Sequence, residues 1–247
     1  MGHSDRKVAL LAGAGDAIGA AVARRFAKEG YVVCIARRNA ENSEDLVAEL
    51  KDAGQAARAF GTDVRDEDKV RQLVEEIESE IGPIEVALFN AGSNVSRPLH
   101  ETQAKLFIKA WELACFGGFL VGREVTARML ARGRGTMLFT GATASVKGRT
   151  GFTAFASAKF GLRGVAQSMA RELGPQNIHV AHLIIDAAVD SEAIHQRLKA
   201  QGVDISAIEP DSLVNTMSIA EAYWYLHCQT RDGWTHELDL RPSLETW

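Results

Sequence analysis

Between residues 12 and 19 the chain reads Ala12-Gly13-Ala14-Gly15-Asp16-Ala17-Ile18-Gly19, directly after an apolar run and directly before a helical pattern. Glycine lets a backbone turn sharply and approach a ligand closely. A helix start adds unpaired N–H groups and a partial positive charge. The turn therefore suits a diphosphate, with Gly13, Gly15, Asp16, Ile18 and Gly19 as its contacts. It is not the plain GxGxxG fingerprint, because Ile18 occupies the place of the third glycine. Taken alone, it also fits a tight strand-to-helix turn that holds nothing, and the absence of a following Gly-Lys-Ser or Gly-Lys-Thr disfavours a mononucleotide or phosphosugar site.

The second apolar run ends in Ala36-Arg37-Arg38. An acidic residue at this place would accept hydrogen bonds from a free ribose 2'-hydroxyl. Guanidinium groups instead match a 2'-phosphate in charge and in fork geometry. The expected cofactor is NADP, with NAD as the alternative. Arg37 is the better phosphate contact, and Arg38 is the more readily left as a solvated charge.

These features resemble the short-chain dehydrogenase/reductase family. Gly13, Gly15 and Gly19 resemble its TGxxxGxG turn, with Ala12 for the threonine and Ala17 for the middle glycine. Asp63-Val64 resembles its adenine-contacting pair, and Asn90-Ala91-Gly92 its NAG signature. The resemblance runs from the glycine turn to the last strand. It implies that Asp63, Val64, Asn90, Ala91, Gly92 and Lys159 join the glycine turn and the two arginines in holding the dinucleotide.

Family enzymes place Ser, Tyr, Lys and a helix-borne Asn beside the nicotinamide. Here the YxxxK segment reads Phe155-Ala156-Ser157-Ala158-Lys159, and the family's interval back to its serine ends on Ala142. The asparagine aligns with Ala114, or with Cys115 if the register slips. Phenylalanine keeps the ring but has no exchangeable proton. The resemblance thus implies an atypical member that retains only Lys159. A general acid contributes roughly 10² to 10⁴ in rate, so the usual tyrosine mechanism is not expected.

Three replacements stay open. Lys159 itself is one. Thr143, one residue beyond the serine position, could offer a hydroxyl. Asp186 follows the sixth apolar run where the family carries Pro-Gly. It could pair with Lys159 or act as an acid if buried; it could equally be a loop-forming or capping residue. Ser157 lies about 200° around the helix from the Phe155 and Lys159 face. His182 reads as a strand histidine directed into a helix layer, and Tyr223, Trp224 and Tyr225 read as the packing face of a late helix.

The elements that must hold these residues are legible as repeats. Apolar runs at 8–12, 32–36, 86–89, 136–140 and 180–185 lack polar alternation, as strands covered on both faces should. A weaker strand falls at 55–60 and an alternating one at 235–240, as at a sheet margin. Helical patterns lie at 18–29, 44–53, 67–81, 102–131 and 152–173, several ended by glycine at Gly30, Gly54, Gly82 and Gly174. Repeated strand and helix imply an α/β Rossmann-type doubly wound parallel sheet of about seven strands with helices on both faces. The expectation is one domain over 1–247. Its irregular part near 186–215, where Gly202 and Pro210 interrupt helical pieces, lies where a substrate flap would be.

Composition bounds the rest. The 247 residues are 46% hydrophobic and 24% charged with net charge −4, and the pI is about 6.0. Neither nucleic acid nor an anionic membrane is an expected partner. Cys34, Cys115 and Cys228 show no CxxC or metal spacing and are odd in number. They point to a reducing compartment, the cytoplasm, and to no metal. Residues 1–7 carry no apolar signal core, no run reaches membrane-span length, and Gly2 lacks a myristoylation context because Arg6 stands where Ser or Thr is required. By resemblance, the long helices and the last strand would assemble a homotetramer or dimer, with Phe107, Trp111, Phe116 and Phe119 as apolar contacts there or in the core. Two functions remain open: a diverged oxidoreductase, its substrate a conjugated C=C bond before a plain carbonyl, or an inactive dinucleotide-binding sensor or partner subunit.

Overall fold

A computed structural model describes residues 6–209 and 211–245; Gly2 and Pro210 lie outside the described residues. Seven parallel strands form one sheet in the order β3-β2-β1-β4-β5-β6-β7. They are β1 Val8–Ala12, β2 Val32–Arg37, β3 Ala57–Gly61, β4 Ile84–Phe89, β5 Gly135–Thr140, β6 Ile178–Ile185 and β7 Glu237–Leu240. The register is regular: Leu10 pairs with Cys34 on one side and with Ala87 on the other. Strand β6 is buried throughout, whereas the edge strand β7 is partly exposed. The missing polar alternation thus has its physical cause in cover on both faces.

Among the described residues eight α-helices supply that cover: α1 Ile18–Lys28, α2 Glu44–Asp52, α3 Glu67–Glu76, α4 Ala104–Trp111, α5 Gly117–Arg132, α6 Thr153–Leu173, α7 Glu192–Ala200 and α8 Thr216–Cys228. One core, around Leu10, Phe89 and Phe139, packs beneath α3, α5 and α6. The other, around Phe26, Ile35 and Tyr223, packs beneath α1 and α8. Among the described residues no helix is long and apolar enough to cross a membrane.

Several expectations need correction. The pattern at 102–131 is interrupted: a π-turn, Glu112–Phe116, separates α4 from α5. Gly118 lies against α6 there, for a side-chain Cβ would come within 2.3 Å of Leu162. Gly174 is the C-cap of α6, but not in a left-handed conformation. Its φ of −55 is helical, the chain continues through a 3-10 turn, and Asn177 makes the reversal with φ 66. The less regular stretch after residue 190 is expected to hold helical pieces, and α7 is one of them, capped by Ser191, whose Oγ accepts from the Ile194 N–H. The late helix is longer than its aromatic face suggests, because Asn215 caps it through the Met217 N–H.

Candidate functional site

Loops following β1, β4, β5 and β6 converge beyond the carboxyl ends of the strands, where α/β sheets place ligands. They enclose a cavity of about 550 Å³, within the usual range for small-molecule sites. Its lining includes Ile18, Asn90, Gly92, Ala142, Thr143, Phe155 and Lys159.

The three glycines of the first turn have separate causes. Gly13 has φ +78, and a Cβ there would meet Ala91 at 2.5 Å, so strand and loop cross too closely for a side chain. A Cβ on Gly19 would strike Ala14 at 2.5 Å. Gly15 faces open space, with nothing within 4 Å. Behind this opening, α1 starts at Ala17 with no side-chain cap and no acid in its first turn. The Ala20 N–H is taken by the Gly15 carbonyl oxygen at 3.1 Å; the earlier N–H groups of that terminus and its partial positive charge suit an external acceptor.

At the end of β2, Arg37 donates to Asp16 Oδ1 at 2.6 Å and to the carbonyl oxygen of Asn42 at 2.7 Å. Asp16 is thus placed on Arg37 rather than within the turn. Its side chain is 87% exposed, and such a pair contributes little, about 0–1 kcal/mol. Arg38 is exposed. Asp63 is gripped by Arg65 through Nε at 2.9 Å and Nη2 at 2.6 Å, and these hydrogen bonds hold its carboxyl down at about 2. Val64 is buried against Gly117.

A buried polar chain joins the glycine turn to the lysine. Asn90 donates from Nδ2 to the Gly13 carbonyl oxygen at 3.2 Å and accepts at Oδ1 from the Thr140 hydroxyl at 2.8 Å. The Thr140 hydroxyl, its proton committed, accepts from Tyr223 Oη at 2.7 Å. Lys159 donates from Nζ to the Thr140 carbonyl oxygen at 2.7 Å. Lys159 is only 4% exposed, and burial lowers its pKa from 10.5 to about 8. Among the described residues that carbonyl is its only hydrogen-bond partner, so two of its three donors are free on the cavity side. Gly92 is the neighbour, its absent Cβ 3.4 Å from Nζ.

Phe155 also lines the cavity, its ring centroid 6.0 Å from Nζ, and so do Ala142 and Thr143. Ala114 is buried in the π-turn and does not reach the cavity lining. Asp186 is not brought to Lys159. It pairs with Arg241 at 3.2 Å, beside a second, smaller hollow, because the segment after β7 returns a cation to this loop. Ser157 donates back to the Ala154 carbonyl oxygen.

His182 lies on the β6 face it shares with Val180, which packs in the core beneath α5 and α6. It is fully buried between the loop after β5 and strand β7, with Nε2 3.5 Å from Ser145 Oγ and Nδ1 3.2 Å from Glu237 Oε2. Glu237 takes both arms of Arg163 at 2.7 Å. Ser145 in turn accepts from the Ala142 N–H at 3.1 Å. This relay holds the loop bearing Ala142 and Thr143. Sequence reading missed Thr140, Ser145 and Tyr223. Only Thr140 carried a signal, a hydroxyl at the carboxyl end of an interior strand.

A short chain dehydrogenase family model matches residues 7–202. A short-chain dehydrogenase/reductase of Armillaria gallica is 31% identical over 180 residues, 72% of this chain and 69% of that protein. The crystal structure of a short-chain dehydrogenase from Rhodopseudomonas palustris is 45% identical with a TM-score of 0.82, over 96% of this chain and 98% of that one. An actinorhodin polyketide ketoreductase variant solved with NADPH is 25% identical with a TM-score of 0.88, over 100% of both chains.

Proposed function

The chain belongs to the short-chain dehydrogenase family, and from that premise we propose that it is an NADP(H)-dependent oxidoreductase whose proton chemistry rests on Lys159. The observation that carries this reading is a buried ammonium with a single protein partner, facing a cavity that also opens onto Ile18 at the start of α1. The NADPH-bound ketoreductase of the same fold supports the choice of cofactor.

The chain's own groups fit the dinucleotide. Gly13, Gly15, Ile18 and Gly19, with the uncapped start of α1, suit its diphosphate. Asn90, Ala91, Gly92 and Lys159 form the nicotinamide end, and Asp63 and Val64 the adenine end. Arg37 and Arg38 take the 2'-phosphate, with Asp16 yielding its weak pair. Bound there, the reduced dinucleotide supplies a hydride.

What remains for the protein is the charge left on the substrate oxygen and one proton. The member is atypical, since Phe155, Ala142 and Ala114 stand where Tyr, Ser and Asn are usual. Phe155 fills space beside Lys159 and excludes water. The Lys159 ammonium, with its pKa lowered toward neutrality by burial, donates to the developing oxyanion, as a general acid poised near the working pH should. The Thr143 hydroxyl is a second donor on the same wall. A conjugated C=C bond would suit this arrangement: Lys159 would hold the enolate oxygen left when the bound dinucleotide gave its hydride to the β carbon, and the proton for the α carbon would be drawn from solvent. Asp186, engaged by Arg241, takes no part.

Residues 186–215 form the substrate flap. Its base is closed by the bridge between Val189 and Val214, and α7 extends over the cavity. The chain is a homo-oligomer, dimer or tetramer, joined through α4 and α5, where Ile108, Trp111 and Phe119 are exposed.

A second reading, an inactive dinucleotide-binding sensor or partner subunit, is favoured by the missing hydroxyls at Ala142 and Phe155. Following NADPH absorbance with enones, enoyl thioesters and unconjugated ketones separates the two. Turnover of a conjugated substrate that Lys159→Met abolishes supports the enzyme. Tight NADPH binding with no turnover, unchanged by Phe155→Tyr, favours the sensor.

A further inference from the structure

We propose that the substrate is a compact organic carboxylate, its charged end held at the cavity mouth by Arg197, Lys147 and Arg149 and its reacting carbon at Lys159. This deepens the oxidoreductase reading and rests on it.

The mouth is built from two sides. Helix α7 turns one face to the cavity, with Ile194, Arg197, Leu198 and Gln201 lining it. Spacings of three, four and seven place these residues on one stripe. Opposite, the segment between the loop after β5 and α6 contributes Lys147, Arg149 and Phe152. Three cations thus face the mouth with one carboxylate, Glu245, which lies 3.8 Å from Arg149. Within the described residues no hydrogen bond or ion pair engages the side chain of Lys147 or of Arg197. Such a concentration of positive charge runs against a chain of net charge −4.

All three cations are exposed, yet each lines the cavity. Here Arg197 is flanked on its own face by Ile194 and Leu198, and the same lining includes the apolar Phe152, Phe155, Ala187, Ala188 and Val189. An anion on an apolar body satisfies both surfaces at once. A neutral apolar substrate would leave the guanidinium groups without a partner, and a polyol would leave the aromatic lining dry and unmatched. A planar carboxylate also suits the guanidinium fork. The volume of about 550 Å³ must admit the nicotinamide end as well, which limits the substrate to a compact acid rather than a long chain.

Another use of Arg197 would be to clamp the dinucleotide's own diphosphate, and the test distinguishes the two. NADPH is first titrated into the purified protein by fluorescence. The NADPH-saturated protein is then titrated calorimetrically with benzoate, crotonate and cinnamate, each against its uncharged amide. The expected result is that at least one acid binds roughly tenfold more tightly than its amide. Arg197→Gln, an exposed position, and the double change Lys147→Gln with Arg149→Gln should each shrink that ratio severalfold while NADPH affinity stays within about twofold. Equal binding of every acid and amide, or no binding of any, overturns the carboxylate proposal while leaving the dinucleotide reading intact. So does an Arg197→Gln protein that loses NADPH affinity but keeps the acid-to-amide ratio. Failure of NADPH itself to bind sinks the underlying oxidoreductase reading instead, and it is read first.

Discussion

Lys159 donates from Nζ to the main-chain oxygen of Thr140 at 2.7 Å, so the cation at the cavity wall is fixed to the end of the interior strand β5. The side-chain hydroxyl of that same threonine belongs to the chain running from Tyr223 through Asn90 to Gly13. Through one residue, the lysine and the glycine turn share a support.

Holding that ammonium away from water is costly. Its fall from 10.5 to about 8 corresponds to about 3 kcal/mol at neutral pH. Because the folded pKa is depressed, the unfolded chain keeps a proton between pH 8 and 10.5 that the folded chain has released, and stability rises with pH across that window. Lys159→Met should therefore raise the urea-unfolding free energy by on the order of 1–3 kcal/mol at neutral pH, with the gain vanishing toward the upper end of the window. Its activity should be lost. A destabilised variant would show that the lysine's contacts outweigh its desolvation.

Two glycines of one turn should respond differently to alanine. At Gly13 the positive φ and the approach of Ala91 to 2.5 Å forbid a Cβ, and Gly13→Ala should lose roughly 2 kcal/mol or more of stability. Gly15 has open space before it, so Gly15→Ala should unfold at the wild-type midpoint yet bind NADPH roughly tenfold more weakly or worse. Thermal melts beside fluorescence titrations read both.

Acid should loosen the sheet before it protonates most carboxylates. Burial lowers His182 and His227 from 6.5 to about 4. The unfolded chain takes up these protons first, so stability is full above pH 6.5 and falls as pH drops toward 4. Denaturant unfolding at neutral pH and near pH 5 should differ by on the order of 4 kcal/mol, and His182→Gln should flatten the slope. A flat wild-type profile over this window contradicts the buried, neutral assignment.

How much of this was legible in the sequence depended on the range of each contact. The strands were readable because two-sided cover leaves continuous apolar runs, and the glycine turn because its geometry is local. Lys159 was placed by its four-residue relation to Phe155. The Tyr223 hydroxyl on Thr140 spans 83 positions, and nothing near either residue announces it. Asp186 reads locally as a free carboxylate, yet a cation from beyond β7 takes it. Helix α7 was only faintly marked because little more than Ile194 and Leu198 supplies its apolar face, while its cavity role lies with a charged residue.

The aromatic ladder on α4 and α5 gives another test. Trp111 and Phe119 both stack toward Phe116 at 6.3 Å and are exposed at 40% and 39%, and the proposed assembly would bury this apolar patch. Sedimentation should give a dimer or tetramer, and the double change Trp111→Glu with Phe119→Glu should give a species of 26.8 kDa. A wild-type mass of one chain would refute the assembly.

The most direct measurement is fluorescence titration of the purified protein with NADPH and NADH, on wild type and on Lys159→Met. Saturation by NADPH, roughly tenfold weaker binding of NADH, and clear weakening in the lysine variant are the predicted results. No saturation by either dinucleotide at millimolar concentration, or binding indifferent to Lys159, would contradict the account.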